Sequence, residues 1–263
     1  MGSSTCMHLA RRGCRVLGLD QFNIPSQLAS HHGKSRMFRM SYYEHADYVP
    51  LLQRSLEQWR ALELQSKAGV FHITGGLYIG PEAGDLISGS LASARQHNLA
   101  HETLSPNDLA RCFPQIRVDP TWIGMLERDA GFVVPELAVS AFADEARKAG
   151  AELRAREPVL KWSADSRGVR VETERGVYYA EKLVICSGPW SQKVITGLGI
   201  TISITRQVLG WVSPREPGLF ELGRLPVFAI ERDRSSLYYG FPTGPHDRGF
   251  KIALHGRGMI TDP

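Results

Sequence analysis

The sequence predicts an α/β fold joined to antiparallel β structure, and three stretches carry that prediction. The opening MGSSTCMHLARRGCRVLGLDQF reads as a helix over 4–12, closed by Gly13, then a strand over 14–19 that ends at Asp20. Small residues early in a helix, a glycine at its end and an apolar, β-branched strand after it are the pattern that follows the first turn of a βαβ unit. In GFVVPELAVSAFADEARKAGAEL, Pro135 opens a helix that carries Leu137, Ala141 and Ala146 on one face. Basic residues fill its last turn and Gly150 stops it. From residue 152 onward, short alternating runs separated by turn residues read as strands.

The other elements follow in order. Residues 48–65 place Val49, Leu52, Leu56, Trp59 and Leu62 or Glu63 on one helical face, a stripe most simply explained by core packing. A strand is expected over 75–80 and a helix over 86–98. SPNDLARCFP is a short helix with Ser105 as cap, Asp108 three residues on and Pro114 as stop. Strands are expected over 152–154 and 159–162, then a hairpin in GVRVETERGVYYAEKLVICSGPWS. Its last run, 183–186, is continuously apolar and ends in Ser187-Gly188, as for a strand buried on both faces. The tail reads as two strands, around Tyr238 and Lys251, joined by a Gly/Pro-rich loop.

The 263 residues suffice for a large core, and 43% hydrophobic with 22% charged residues is ordinary for a soluble globular chain. A net charge of +4 is far below that of a dedicated nucleic-acid binder and leans slightly toward small anionic ligands. Cys6, Cys14, Cys112 and Cys186 form no close pair, so neither a zinc site nor a disulfide framework is expected, and a reducing compartment is. No apolar run approaches the roughly 18 residues of a membrane span.

Four stretches carry possible chemistry. Gly2 and Asp20 resemble the end of a dinucleotide-binding fingerprint, in which a helix start receives a pyrophosphate and an acid accepts ribose hydroxyls; an ordinary α/β unit with a solvent-facing Asp20 reads equally well. LVICSGPWS ends a buried strand in small residues, which lets backbone lie against a flat or phosphate-bearing ligand, or simply makes a turn. In SHHGKSRMFRMSY the neighbouring His31 and His32 diverge, which suits no shared metal ion. Arg36 and Arg39, three apart, would share one helical face and could grip a carboxylate, or form a solvated cationic turn. Lys251 in FKIAL projects opposite to Phe250 and Ile252, with His255 four residues on. Such a lysine ordinarily faces water; facing a site, its charge could stabilise a transient anion.

Taken together and in this order, these segments, with YVPLLQRSLEQW, TGGLYIGP, RDAGFVVPELAV and YYGFPTG, resemble the monomeric sarcosine oxidase and N-methyltryptophan oxidase group of the D-amino-acid oxidase-like flavoproteins. The most specific match is SHHGKSRMFR, where that group carries a Ser-His-Gly-x-Ser/Thr-Arg-x-x-Arg element. The resemblance implies a Rossmann-like FAD-binding domain of the glutathione-reductase type over 1–71 and 133–203, interleaved with an antiparallel-sheet substrate domain over 72–132 and 204–263. It implies that Gly2, Asp20, Val159, Ser187, Gly188 and Trp190 contact FAD, and that Ser30, His31, Ser35 and Arg36 lie along the flavin. Arg39 matches the arginine that binds the substrate carboxylate, Tyr239, His32 and His255 match active-site positions, and Lys251 matches the lysine that promotes reaction with oxygen.

The implied reaction is FAD-dependent oxidation of a secondary (N-methyl) amino acid such as sarcosine. A hydride equivalent passes to flavin, O₂ becomes H₂O₂, and no metal takes part. The alternatives are a dehydrogenase of D-amino acids or a related amine, and an inactive fragment. The expected partners are a small amino-acid substrate and O₂, with no nucleic acid and no membrane, for a cytoplasmic monomer. Met1-Gly2 coincides with the interior of the group's Gly-x-Gly-x-x-Gly element, and GMITDP stops well before the group's C-terminal part. The chain is therefore expected to be a fragment truncated at both ends, without the first strand, the flavin-linking cysteine, a second substrate lysine and a further Gly-rich contact. Alone it is expected to bind FAD poorly.

Overall fold

A computed structural model describes residues 1–195, 199, 201–234, 236–244, 249–256 and 258–263. The chain forms two compact units, one of residues 1–33, 135–204 and 260–263, the other of 34–134 and 205–259. The strand Arg36–Phe38 pairs with Gly131–Val133, which pairs in turn with Phe71–Ile73. Residues 34–71 thus gather with the second unit by contact, whereas the expected cofactor and substrate domains divided at 71/72.

In the first unit, the helix Gly2–Arg11 packs on the helix Pro135–Lys148 through Met7, Ala10 and Ala146, with Ala151 just past the second helix in the same cluster. Small side chains let the two helices approach closely, and Arg11 Nη2 adds a 2.6 Å ion pair to Glu145 Oε2. Gly13 and Gly150 follow the two helices in the left-handed region, at φ 80° and 94°, as helix stops do. Beside them, Leu17–Leu19 and Glu152–Arg154 pair in parallel. The strands Val159–Asp165, Gly168–Thr173 and Gly176–Ala180 form an antiparallel meander.

Residues 183–186 correct one expectation. They form no strand and are not buried, Leu183 being 38% and Val184 57% exposed. An apolar run becomes a strand only when a neighbouring strand takes its backbone N–H and C=O groups, and among the described residues none lies beside it.

The second unit is built on a seven-stranded sheet with the order Gly210–Val212, Phe250–His255, Ser236–Phe241, Val227–Asp233, Gly76–Gly80, Ile123–Glu127, His101–Leu104. All neighbours are antiparallel except Val227–Asp233 with Gly76–Gly80. Leu77, Ile79, Leu104, Phe228 and Phe250 bury one face, which the capped helix Pro106–Cys112 covers with Leu109. Tyr78, Met125 and Ala229 share the other face with Leu86, Ile87 and Leu91 of the helix Asp85–Gln96. The helix Val49–Ser66 lies where expected and buries Val49, Leu56 and Leu62. The expected tail loop between the last two long strands falls partly on 245–248, outside the described residues.

Candidate functional site

Side chains alternate along a strand, so the register decides which residues share the second face of the large sheet. Trp211 and Phe241 stand opposite Lys251, Tyr239 opposite Ala253, and Leu237 opposite His255. On the neighbouring strands Ala229 pairs with Tyr239 and with Tyr78, and Tyr78 with Met125, two residues before Glu127. Lys251, Tyr239, His255, Tyr78 and Glu127 therefore project from one face.

The segment 35–41 is fastened to that face at both ends. Lys251 is 1% exposed, and its Nζ donates to Ser35 O at 2.8 Å and Ser35 Oγ at 3.0 Å. The ammonium also lies 4.6 Å from the centroid of Phe241 and 5.6 Å from that of Trp211, within cation–π range. Arg36 Nη1 donates to the same Ser35 carbonyl at 2.9 Å, so two cations meet at one backbone oxygen. At the other end the buried Glu127 accepts Met40 N at 3.0 Å and Ser41 N at 2.9 Å, Ser41 Oγ at 2.5 Å, and the Tyr78 hydroxyl.

Arg39 lies between these fastenings. Its guanidinium carbon is 4.4 Å from the Tyr42 ring centroid and 5.2 Å from that of Tyr43, and Nη2 donates to Glu44 Oε1 at 2.9 Å. Burial works against its charge, but Tyr78 and Glu44 outweigh that and hold its pKa above the ordinary value. Burial and Glu127 push the Tyr78 phenol well up, with Arg39 opposing them. Half-buried Tyr239 is raised by desolvation and lowered by Arg36. Its ring centroid is 6.3 Å from that of His255, which is exposed. Arg36 and Arg39 do not share a helical face. Gly33 at φ 122° and Lys34 at φ 64° break any helix, and strand pairing with Gly131–Val133 draws Arg36 into extended backbone.

The first unit gathers a second set. Asp20, just past Leu19, donates its N–H to Arg154 O at 2.9 Å and accepts Phe22 N on Oδ1 at 2.8 Å. Burial raises its pKa, while that hydrogen bond and His31 lower it. A Cβ on Gly2 would stand 3.5 Å from Cys186 Cβ, and one on Gly188, at φ 54°, would stand 3.9 Å from Ser30 Oγ. Trp190 meets Phe22 edge-on at 5.2 Å, and Ser187 Oγ lies 3.1 Å from Ser191 Oγ. His32 Nδ1 is 3.2 Å from Glu136 Oε1, which also accepts Gly33 N at 2.9 Å. Val159 begins its strand 37% exposed and opposite Thr173, so it joins none of these contacts. Among the described residues no His, Cys, Asp and Glu cluster fits a metal ion, and no helix is long and apolar enough to cross a membrane.

Glu127, Tyr78 and Glu44 were not singled out in the sequence. The available signal was an acid closing the apolar run IGMLE, where only a residue with buried partners belongs.

Comparison with known proteins follows the same direction. The family described as DAO, FAD dependent oxidoreductase, matches residues 1–260. The monomeric sarcosine oxidase of Streptomyces avermitilis is 39% identical over 100% of this chain and 69% of its own length. The N-methyl-L-tryptophan oxidase of Salmonella newport is 32% identical over 99% of this chain and 68% of its own length. Among solved structures, the open form of NikD, an unusual amino acid oxidase of nikkomycin biosynthesis, superposes with a TM-score of 0.78 at 26% identity, covering 99% of this chain and 68% of NikD.

Proposed function

Because this chain belongs to the DAO family of FAD dependent oxidoreductases, we propose that it oxidises a secondary, N-methyl amino acid such as sarcosine, with O₂ as the final acceptor. The observation that carries this reading is the 35–41 segment, which brings Arg36 and Arg39 to the sheet face that bears Lys251 and Tyr239.

The residues of the first unit fit FAD. The helix Gly2–Arg11 starts with no side-chain cap and no acid in its first turn, which suits a pyrophosphate. Asp20 supplies a carboxylate for ribose hydroxyls. Gly2 and Gly188, with Ser30, Ser187 and Trp190 around them, leave room for a cofactor to approach the backbone. FAD held there would supply a two-electron acceptor for the hydride equivalent lost from a carbon bonded to the amine nitrogen, with O₂ as the final acceptor giving H₂O₂.

The chain's own side chains do the rest. Arg39 binds the substrate carboxylate through its planar fork, displacing Glu44, with the Tyr42 and Tyr43 rings backing the guanidinium. Fixing that carboxylate orients the N-methyl group, and orientation is what the arginine contributes. In the second unit Tyr239 and His255 border the substrate and Ser35 and Arg36 lie along the flavin; in the first unit His31 lies along the flavin and His32 takes an active-site position. Lys251, held by Ser35, sets a buried positive charge where negative charge develops on oxygen.

The test is a panel of N-methyl amino acids, their primary-amine parents and D-amino acids, offered to the flavin-loaded protein with peroxide followed. N-methyl amino acids should give stoichiometric H₂O₂. Turnover only with an artificial acceptor would replace the oxidase by a dehydrogenase, and preference for D-amino acids would replace the substrate class.

A further inference from the structure

Glu127 has no part in the assignments above, yet it is 2% exposed and every contact it makes is with a donor. Two backbone N–H groups and two hydroxyls converge on its two oxygens, which saturates the acceptor sites of an ionised carboxylate. The two N–H groups belong to Met40 and Ser41, the residues directly after Arg39. One of the hydroxyls belongs to Tyr78, whose phenol and the Arg39 guanidinium feel each other's charge.

The geometry points to Glu127 as the positioning residue of Arg39. By gripping the next two backbone amides, it fixes where the guanidinium stands and so sets how strongly the site selects a carboxylate-bearing substrate. This deepens the reading of Arg39 given above and rests on it. Packing alone would not need a carboxylate here. A buried acid costs several kcal/mol of desolvation unless its donors are in place, so its presence next to the Arg39 segment asks for a role.

The chemistry of the clamp makes an isosteric test sharp. Each oxygen of Glu127 accepts one backbone N–H and one hydroxyl. In Glu127→Gln, either orientation of the amide turns an NH₂ toward a backbone N–H, and that group cannot rotate to accept. Tyr78→Phe removes one hydroxyl and leaves both backbone bonds.

The experiment measures, on flavin-loaded protein, the ratio of kcat/KM for an N-methyl amino acid to that for the same N-methylamine lacking the carboxylate. Glu127→Gln should lower this ratio about tenfold or more, with kcat on the carboxylate-free amine within about twofold of wild type. Tyr78→Phe should keep the ratio within about threefold. A general structural lesion would lower both substrates alike, and an unchanged ratio in Glu127→Gln overturns the inference. Arg39→Met separates the two layers. If it collapses the ratio while Glu127→Gln does not, only the role of Glu127 fails. If it leaves the ratio intact, the carboxylate role of Arg39 fails as well.

Amide hydrogen exchange on the full chain, without flavin, provides a readout that needs neither turnover nor a variant. The Met40 and Ser41 amides should be the most protected within 39–44, and in Glu127→Gln their protection should fall. If the wild-type amides exchange as freely as that of the exposed Glu44, the clamp does not exist.

Discussion

In the second unit Lys251 and Glu127 are almost completely buried and multiply bonded, Lys251 to Ser35 and Glu127 to Met40, Ser41 and Tyr78. In the first unit the groups assigned to FAD stand at turn ends, where glycines, serines and backbone make the contacts and the parallel ladder has two short strands. The difference follows what each is proposed to hold. A small substrate offers one carboxylate and one amine, so its orientation depends on a few side chains that cannot move. A dinucleotide offers many contacts, so backbone access and a helix start serve it better than rigid charges.

The strongest way to break this contrast is Lys251→Met, which keeps the length of the side chain and removes its charge. Rapid mixing of reduced, flavin-loaded protein with O₂ should show reoxidation slowed about a hundredfold, the scale of losing one preorganised charge at a reacting centre. Anaerobic reduction by substrate should change only a few-fold, because the lysine is assigned to oxygen and not to the amine. Equal slowing of both half-reactions would make Lys251 a structural pin for Ser35, and the oxidase reading would lose its main chemical support.

How much of this was legible in the sequence depended on whether the deciding interaction was local. The helices could be read because their signals lie within a few residues, as in the Ser105 and Asp108 capping box and the glycine stops. The pairing of Arg36 with Val133 spans almost a hundred residues, so the spacing of Arg36 and Arg39 suggested a helix where the chain forms a strand. Residues 183–186 failed for the same reason in reverse, since their apolar side chains could be read but the strand they lack could not. Lys251 and the two arginines stood out as candidate charges in the sequence, and a motif resemblance supplied the roles proposed for them. Glu127 stood outside it, and a glutamate at the end of an apolar run acquires meaning only when its four donors are placed around it.

A smaller effect sharpens the contrast from the first unit, which has one buried charge among its described residues. Glu157 accepts Tyr178 OH at 2.5 Å and Thr173 Oγ1 at 2.9 Å, with Arg175 Nη1 at 3.5 Å. The Tyr178 hydrogen bond, against burial and with help from Thr173 and the arginines, holds its pKa below the usual carboxylate value. A depressed carboxylate pKa adds stability above the unfolded value, about 4.3, and that stability is lost as pH falls through the lower folded value. Tyr178→Phe moves the folded pKa back up. The Tm gap between variant and wild type should be widest above about pH 5 and should close below about pH 4. A gap of constant size across that range would mean that Tyr178 contributes packing alone.

The smallest effect concerns Glu44, the exposed acid of the Arg39 cluster. Its 2.9 Å ion pair occupies the guanidinium fork that the substrate carboxylate is proposed to take, so binding has to exchange one carboxylate for another. Glu44 is 39% exposed, and pairs of that kind contribute only a few tenths of a kcal/mol to about 1 kcal/mol. Removing it should therefore lower KM by about two- to fivefold. In Glu44→Gln, steady-state kinetics should show that fall with kcat unchanged, because the competitor is lost while the Glu127 clamp and the Tyr42 and Tyr43 faces remain. A rise in KM would reverse the assignment. Glu44 would then be part of what holds Arg39 in place, and the guanidinium would need support from both sides, not from the backbone clamp alone.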